Sequence, residues 1–369
     1  MPRPIQLTIK IDAMRHNLDA IRRRAGRARI WAVAKANAYG QGIAQAVNGF
    51  ASADGLAVLD LAEAEQARSL GWVKPILLIE GAFSSDDLAT MARLDLTTVI
   101  STPEQAACFA AAALTPNHVW IKLNTGMNRL GLNPHLSDDQ LLRMLTPVIQ
   151  KISAPVGWMT HFANADTDDG WREQQARFES WQPRLAKALN GMAGPRSLAN
   201  SAASLAHPST HADWVRPGIA LYGATPWADG LAATRAAGFG LRPVQSLTSQ
   251  VIAIQQVKRG EAVGYGSRFV AMRDQRIGVV AAGYADGYPR SAPDGTPVWV
   301  AGQVVPLAGR VSMDMITVDL TDHPLADVGA AVELWGDQIA IDDVANRSGT
   351  IGYELMTKIT MRVPRVIVD

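Results

Sequence analysis

From its start to about Ala224 the sequence repeats one theme: a short apolar run, a turn, then an amphipathic stretch with helical spacing. Ile30–Ala34, Gly55–Leu59, Ile76–Ile79 and Thr97–Ile100 read as buried strands, and Val119–Leu123, Val156–Thr160, Arg196–Ala199 and Ile219–Tyr222 continue the series. Helical patterns lie between them at Leu61–Leu70, Glu104–Leu114, Gln140–Ile152 and Trp171–Leu189. Ser101-Thr102-Pro103-Glu104 supplies a cap and an early proline for one of these. Ahead of the first strand, Asp12 can cap a helix that places Met14, Leu18 and Ile21 on one face. Alternating strands and helices imply right-handed crossovers and a parallel sheet. About eight such units predict closure into a (β/α)8 TIM barrel, with an open doubly wound sheet as the alternative.

After roughly Arg235 long helical stretches give way to short β-runs broken by Gly and Pro: Leu247–Val257, Ile277–Ala282, Pro297–Val305, Met315–Leu320 and Ala331–Trp335. That pattern predicts a mainly-β C-terminal domain, with a helix around Ile341–Arg347. The expected division is a barrel over 1–234 and a β-domain over 235–369. A chain of 369 residues, 48% hydrophobic and 19% charged, has ample material for two such cores. A net charge of +1 gives no electrostatic reason to expect nucleic acid or an anionic membrane as partner. No apolar run has the length needed to span a bilayer. The opening Met1-Pro2-Arg3-Pro4 and Ile5–Asp12 have no signal-peptide core, and the single Cys108 cannot form an internal disulfide, so a soluble cytoplasmic protein is expected.

Val33-Ala34-Lys35-Ala36-Asn37-Ala38-Tyr39-Gly40 places a lysine where an apolar strand ends and a small-residue turn begins. In a TIM barrel that is the C-terminal mouth, where active sites lie. A desolvated lysine there gives up its proton more readily and can condense with an aldehyde. The same position also suits a solvated lysine that merely ends a strand.

Lys35-Ala36-Asn37-Ala38-Tyr39-Gly40 resembles the motif that carries pyridoxal 5′-phosphate (PLP) in bacterial alanine racemases. Further matches follow in the family's order: Asn124–Gly131, Thr160-His161-Phe162, Asn200-Ser201 and Arg216–Gly223. Val263–Gly266, Gly283–Arg290, Ser312-Met313-Asp314 and Gly352-Tyr353-Glu354 complete the set in the second domain. The resemblance covers nearly the whole chain. It implies that Lys35 holds PLP and that Tyr39, Ser201, Gly218, Ile219 and Tyr353 cradle its phosphate, a group that takes backbone N–H donors and hydroxyls. Arg216 is implied to face the pyridine nitrogen, with His161 hydrogen-bonded to it. An arginine keeps its proton, so the ring nitrogen stays unprotonated and is a weaker electron sink than the pyridinium a carboxylate would favour. Arg129 is implied to meet the cofactor's phenolic oxygen and to arrange the substrate carboxylate. Lys122 matches a position that is carbamylated in many members; an unmodified lysine paired with a carboxylate is the other reading.

Racemisation removes a proton from one face of Cα and returns one to the other, so one base must stand on each face. The resemblance assigns these roles to Lys35, for the D-enantiomer, and Tyr265, for the L-enantiomer. A tyrosine titrates near about pH 10 unless positive charge stabilises the phenolate. In the family this tyrosine comes from the other subunit, as does Met313, whose backbone N–H meets the substrate carboxylate, while Tyr284 lines the entrance. A homodimer with shared sites is therefore implied, acting on alanine either to supply D-alanine for peptidoglycan or to consume it. No metal site is expected. Gln41 and Ser312 depart from residues common in the family, histidine and cysteine, without touching the two bases. A PLP decarboxylase of the same plan is disfavoured by Arg216 and Tyr265, and a non-catalytic PLP carrier by the second domain.

Overall fold

The structure, a computed structural model, describes residues 3–227 and 230–369; Met1 and Pro2 of the opening segment lie outside them. The chain forms two units: Leu18–Ala38 with Gly42–Leu221, and the residues up to Asn17 with Tyr39–Gln41 and Tyr222–Asp369.

Strand β1 (Gln6–Lys10) opens the chain. The next eight are β2 (Arg29–Val33), β3 (Gly55–Val58), β4 (Ile76–Leu78), β5 (Thr97–Ile100), β6 (His118–Lys122), β7 (Val156–Met159), β8 (Ala193–Ser197) and β9 (Trp214–Val215). They pair in that order and close as a parallel barrel when Arg29 and Ile30 of β2 meet Trp214 and Val215 of β9. Closure confirms the TIM barrel and excludes the open doubly wound sheet. The first seven strands coincide with the expected apolar runs to within a few residues. The eighth does not: Ile219–Tyr222 is a 3-10 turn closed by a Leu221 N–H to Gly218 oxygen bond of 2.9 Å. Pro217-Gly218 ends the extended chain, and a short buried apolar run fits either conformation.

Bulky side chains at the N-terminal ends of the strands fill the barrel there. Trp31 stacks on Trp214 with ring centroids 4.2 Å apart and meets Trp120 edge-on at 6.4 Å. Gly55 and Gly157 make that possible, because a Cβ on either would stand 2.2 Å or 2.4 Å from the Trp31 or Trp120 ring. Most of the intervening helices start as the sequence predicts: Thr102 caps Pro103–Ala111 through the Gln105 N–H at 3.2 Å, with Pro103 in the first turn. The long pattern expected over Trp171–Leu189 is two helices, Arg172–Ser180 and Gln182–Ala188, with Pro183 in the first turn of the second. Met14, Leu18 and Ile21 are buried in helix Ile11–Ala25, but Asp12 lies in its first turn, paired with Arg15 at 2.6 Å, rather than capping it.

In the second unit, β1 is joined by β10 (Gln245–Val257), β11 (Ala262–Val263), β12 (Phe269–Val270), β13 (Gln275–Val280), β14 (Pro297–Val300), β15 (Gln303–Pro306), β16 (Ile316–Asp319), β17 (Ala331–Trp335) and β18 (Arg365–Val368). The main sheet runs β15-β14-β17-β10-β1-β18, with β13 on β10 and β16 on β13. β1 is antiparallel to β10 and parallel to β18. A single cut at 234/235 would therefore part β1 from both sheet partners; the N-terminal strand goes with the β-rich unit because its backbone ladder is there. The expected run Pro297–Val305 is a hairpin, turning at Ala301-Gly302 with φ of 41° and 99°, and the helix Ile341–Arg347 is present.

Candidate active site

In the barrel unit, Lys35 follows β2, Lys122 ends β6, Arg129 stands in the loop after β6, His161 follows β7, Ser201 follows β8 and Arg216 follows β9. All lie at the C-terminal ends of the strands, where barrel chemistry is done.

The Lys35 segment is built in an uncommon way. Ala36, Asn37, Ala38 and Tyr39 all have φ of 53–55°, a left-handed turn that L-residues rarely adopt in succession. At roughly 1–2 kcal/mol per residue this stores on the order of 4–8 kcal/mol, which surrounding contacts must offset. The Ala38 N–H donates to the Ala34 oxygen and the Gly42 N–H to the Asn37 oxygen, each at 2.8 Å. The Asn37 side chain accepts from the Ile43 N–H at 3.1 Å, and the Asn37 N–H donates to Glu63 Oε1 at 2.7 Å. Burial, and then the charge of Arg129, push the Lys35 amine below its ordinary pKa, against the opposing pull of Glu80 and Glu63. Its neutral, nucleophilic form is thus easier to reach than that of a solvated lysine.

Lys122 is buried, and its amine is lowered to about 8 by burial and the charges of Arg216 and Arg129. Burial, followed by the charge of Arg216, holds the His161 imidazole well below its ordinary pKa. Lys122, Arg129, Thr160 and His161 line one small cavity with Asn124 and Thr125. The loop carrying Arg129 is pinned at its base, Leu132 N–H to Lys122 oxygen at 2.7 Å and Asn124 N–H to Leu132 oxygen at 3.1 Å.

Arg216 is buried, and burial lowers it to about 10, so it remains a cation at neutral pH. Its Nη1 donates to Ser197 Oγ at 2.6 Å; its Nη2 donates to the Thr160 oxygen and, at 3.3 Å, to the Leu198 oxygen. All three acceptors are neutral. Among the described residues Nε has no protein acceptor, which leaves it as the donor for a ligand. His161 is not among the hydrogen-bond partners of Arg216: Ser197 on β8, with Thr160 and Leu198 just past β7 and β8, supplies the acceptors. Ser201 Oγ accepts from the Gly218 N–H at 2.8 Å and the Ala220 N–H at 3.4 Å, tying the start of helix Ser201–Ala206 to the Pro217–Ile219 turn. Asn200, not Ser201, caps that helix, through the Ala203 N–H at 3.1 Å.

The remaining expected residues lie in the β-rich unit. Tyr39 is buried, its ring 4.5 Å from Tyr222 and 5.9 Å from Tyr353, and burial raises its hydroxyl pKa, which keeps it a neutral donor. Tyr284 and Met313 are laced together: the Tyr284 N–H donates to the Ser312 oxygen and the Ala285 N–H to the Met313 oxygen, each at 3.0 Å. Tyr265 is 73% exposed, in a turn between β11 and β12 where Gly264 and Gly266 have φ of 74° and 69°.

Three contributors escaped the sequence reading: Glu63, Ser197 and Gln174. Gln174, buried in helix Arg172–Ser180, bridges Thr125 Oγ1 at 3.1 Å, the His161 oxygen at 3.2 Å and the Ala163 N–H at 2.7 Å. Only Glu63 left a sequence signal, the spacing Asp60-x-x-Glu63 of a capping box.

The donor set fits PLP. An amine held toward its neutral form suits the aldehyde, the Arg129 guanidinium suits a phenolate, and the buried cation Arg216 keeps its Nε for a ring nitrogen. Fold and site thus define a TIM-barrel PLP enzyme whose lysine follows the first barrel strand. Residues 9–226 match the alanine racemase N-terminal domain and residues 244–367 the alanine racemase C-terminal domain. The chain belongs to the alanine racemase family and is a PLP-dependent isomerase. It is 51% identical to the alanine racemase of Burkholderia mallei over 366 residues, 99% of each chain, and 47% identical to the catabolic alanine racemase of Klebsiella aerogenes over 372 residues, again 99% of each. The crystal structure of the biosynthetic alanine racemase from Pseudomonas aeruginosa superposes with a TM-score of 0.91 at 45% identity, covering 100% of both chains.

Proposed function

We propose that this protein interconverts L- and D-alanine with Lys35 and Tyr265 as its two bases. The carrying observation is the pairing of a lysine amine held toward its neutral form with a buried arginine fixed wholly by neutral acceptors. Lys35 would bind the cofactor aldehyde, Tyr39, Ser201, Gly218, Ile219 and Tyr353 would hold its phosphate, and Arg129 its phenolic oxygen. PLP held there would supply an electron sink for Cα and so acidify the α-proton. Arg216 Nε would donate to the ring nitrogen and leave it without a proton, which limits the electron sink and favours return of a proton to Cα over transfer elsewhere. Lys35 Nζ moves the proton on the face it occupies, that of the D-enantiomer. Tyr265 Oη moves the proton on the opposite face and needs nearby positive charge to act as a base.

By the family resemblance this tyrosine, with Met313, would reach the site of a second subunit; the exposure of Tyr265 and Met313 in a single chain, 73% and 52%, supports that reading. A cytoplasmic homodimer with two shared sites follows, with Met313 N–H on the substrate carboxylate and Tyr284 at the entrance. The Lys122 amine, near 8, has enough neutral form to combine with carbon dioxide, and the carbamate would supply a negative charge beside Arg129. Similarity runs comparably to a biosynthetic and a catabolic relative, so supply of D-alanine for peptidoglycan and consumption of alanine are both kept as readings; rescue of a D-alanine auxotroph by the gene supports the first, and failure to rescue supports the second. Mixing Lys35→Ala and Tyr265→Ala proteins tests the shared site. Recovery of activity after subunit exchange supports it, and persistent inactivity after proven exchange refutes it.

A further inference from the structure

The catalytic lysine sits at the head of a strained turn, so something must hold that turn. Glu63 does so from another part of the barrel. It lies in the first turn of helix Leu61–Ser69, half-buried, and its two oxygens point to different segments. Oε2 accepts from the Leu59 N–H at 3.1 Å and the Asp60 N–H at 3.3 Å, the reciprocal half of a capping box whose other half is Asp60 accepting within the helix. Capping needs no more than that oxygen. Oε1 leaves the helix and accepts from the Asn37 N–H at 2.7 Å, two residues beyond Lys35. One carboxylate thus joins the end of β3 to the left-handed turn that follows β2.

We propose that Glu63 is a positioning residue for Lys35: its carboxylate holds the left-handed turn of residues 36–39 and thereby fixes where the lysine amine stands. The proposal rests on Lys35 as the PLP-bearing lysine. Glu63 also acts on that amine through its charge, favouring the ammonium against burial and Arg129, which favour the free amine. A helix cap alone would do neither. The two roles predict different responses from neutral and truncated side chains. Glutamine keeps the shape and one acceptor oxygen but has no charge and cannot accept toward both segments; alanine loses everything.

The test uses Glu63→Gln and Glu63→Ala in the PLP-loaded enzyme, with Glu65→Gln, exposed on the same helix, as control. In Glu63→Ala, PLP release on dilution should be about 10- to 100-fold faster, the worth of a charge-assisted hydrogen bond, with kcat lowered by a similar factor and the KM for alanine little changed. Glu63→Gln should fall between it and wild type. After PLP is stripped from the full-length chain, competitive acetylation across pH should show the Lys35 midpoint at lower pH in both variants, because a negative charge near the ammonium is gone. Release and kcat within about twofold of wild type in both variants, or a Lys35 midpoint that does not move, overturns the proposal. If Glu63→Ala does not fold, Glu63→Gln carries the same readouts. Borohydride reduction of the holoenzyme keeps the two levels apart: PLP fixed to a peptide other than that of Lys35 refutes the Lys35 assignment itself, whereas PLP on Lys35 with unmoved Glu63 variants refutes the positioning role alone.

Discussion

Ser197→Ala puts the assignment of Arg216 under direct strain. The Ser197 side chain is fully buried; its Oγ accepts from Arg216 Nη1 at 2.6 Å and donates to the Trp214 oxygen at 2.8 Å. Alanine removes both bonds without adding bulk. A buried cation that loses one of its acceptors forfeits about 1.5–3 kcal/mol, and the abandoned Trp214 carbonyl about 1 kcal/mol more. The sum, about 2.5–4 kcal/mol, should lower the melting temperature of the barrel by roughly 5–15 °C, taking ~2–4 °C per kcal/mol for a domain of this size. Freed on one side, Arg216 should also hold a ring nitrogen less well, and kcat should fall at least about tenfold, equivalent to 1.4 kcal/mol. Differential scanning fluorimetry and a coupled D-alanine oxidase assay on the PLP-loaded variant read the two effects. A melting temperature within about 1 °C of wild type, together with unchanged kcat, would refute the claim that neutral acceptors at the ends of β7 and β8 anchor this arginine.

Three further outcomes follow from buried groups. Asp342, whose carboxylate accepts from the Thr225 N–H at 3.0 Å, is raised to about 7 by burial from an ordinary 3.8. The folded state then binds the proton more tightly than the unfolded one, so urea stability should fall as pH rises from 4 to 7. In Asp342→Asn that slope should flatten, and an unchanged slope would contradict the assignment. Gly157→Ala drives a methyl to 2.4 Å from the Trp120 ring and should cost about 3 kcal/mol in chemical denaturation, most of it returned by adding Trp120→Leu. Isotope-labelled bicarbonate should give a carbamate NMR signal in wild type that Lys122→Ala lacks; an identical spectrum for the two proteins would rule out modification of Lys122.

The barrel was legible because β2 to β7 are nearly continuous apolar runs, and the helices after β3 to β6 start at Asp60, Ser84, Thr102 and Ser137, residues that cap. β9 was not. Two residues, Trp214 and Val215, carry too little pattern, and the apolar run after Pro217-Gly218 looks more like a strand than they do. The membership of β1 in the far sheet depends on pairing with residues more than 200 positions away, which no local pattern encodes. At the site, residues with charged or aromatic side chains at strand ends announced themselves, and the family resemblance supplied their roles. The left-handed turn after Lys35 did not: Ala-Asn-Ala-Tyr contains no glycine, and alanine favours the right-handed helix, so local preference points away from the conformation tertiary contacts impose. The residues that impose it are hidden for the same reason. Glu63 reads as a helix-start acid, Ser197 as a small strand residue and Gln174 as a surface helix residue. Their functions lie in what they touch across the barrel.

The central claim is that protons leave and return at Cα through two opposed bases. L-Alanine incubated with the PLP-loaded protein in D2O, and analysed by chiral separation with mass spectrometry, tests it most directly. Wild type should form D-alanine carrying deuterium at Cα, and Lys35→Ala should form none. D-Alanine without deuterium at early times, release of carbon dioxide, or alanine left unchanged by a folded, PLP-loaded protein would contradict the claim.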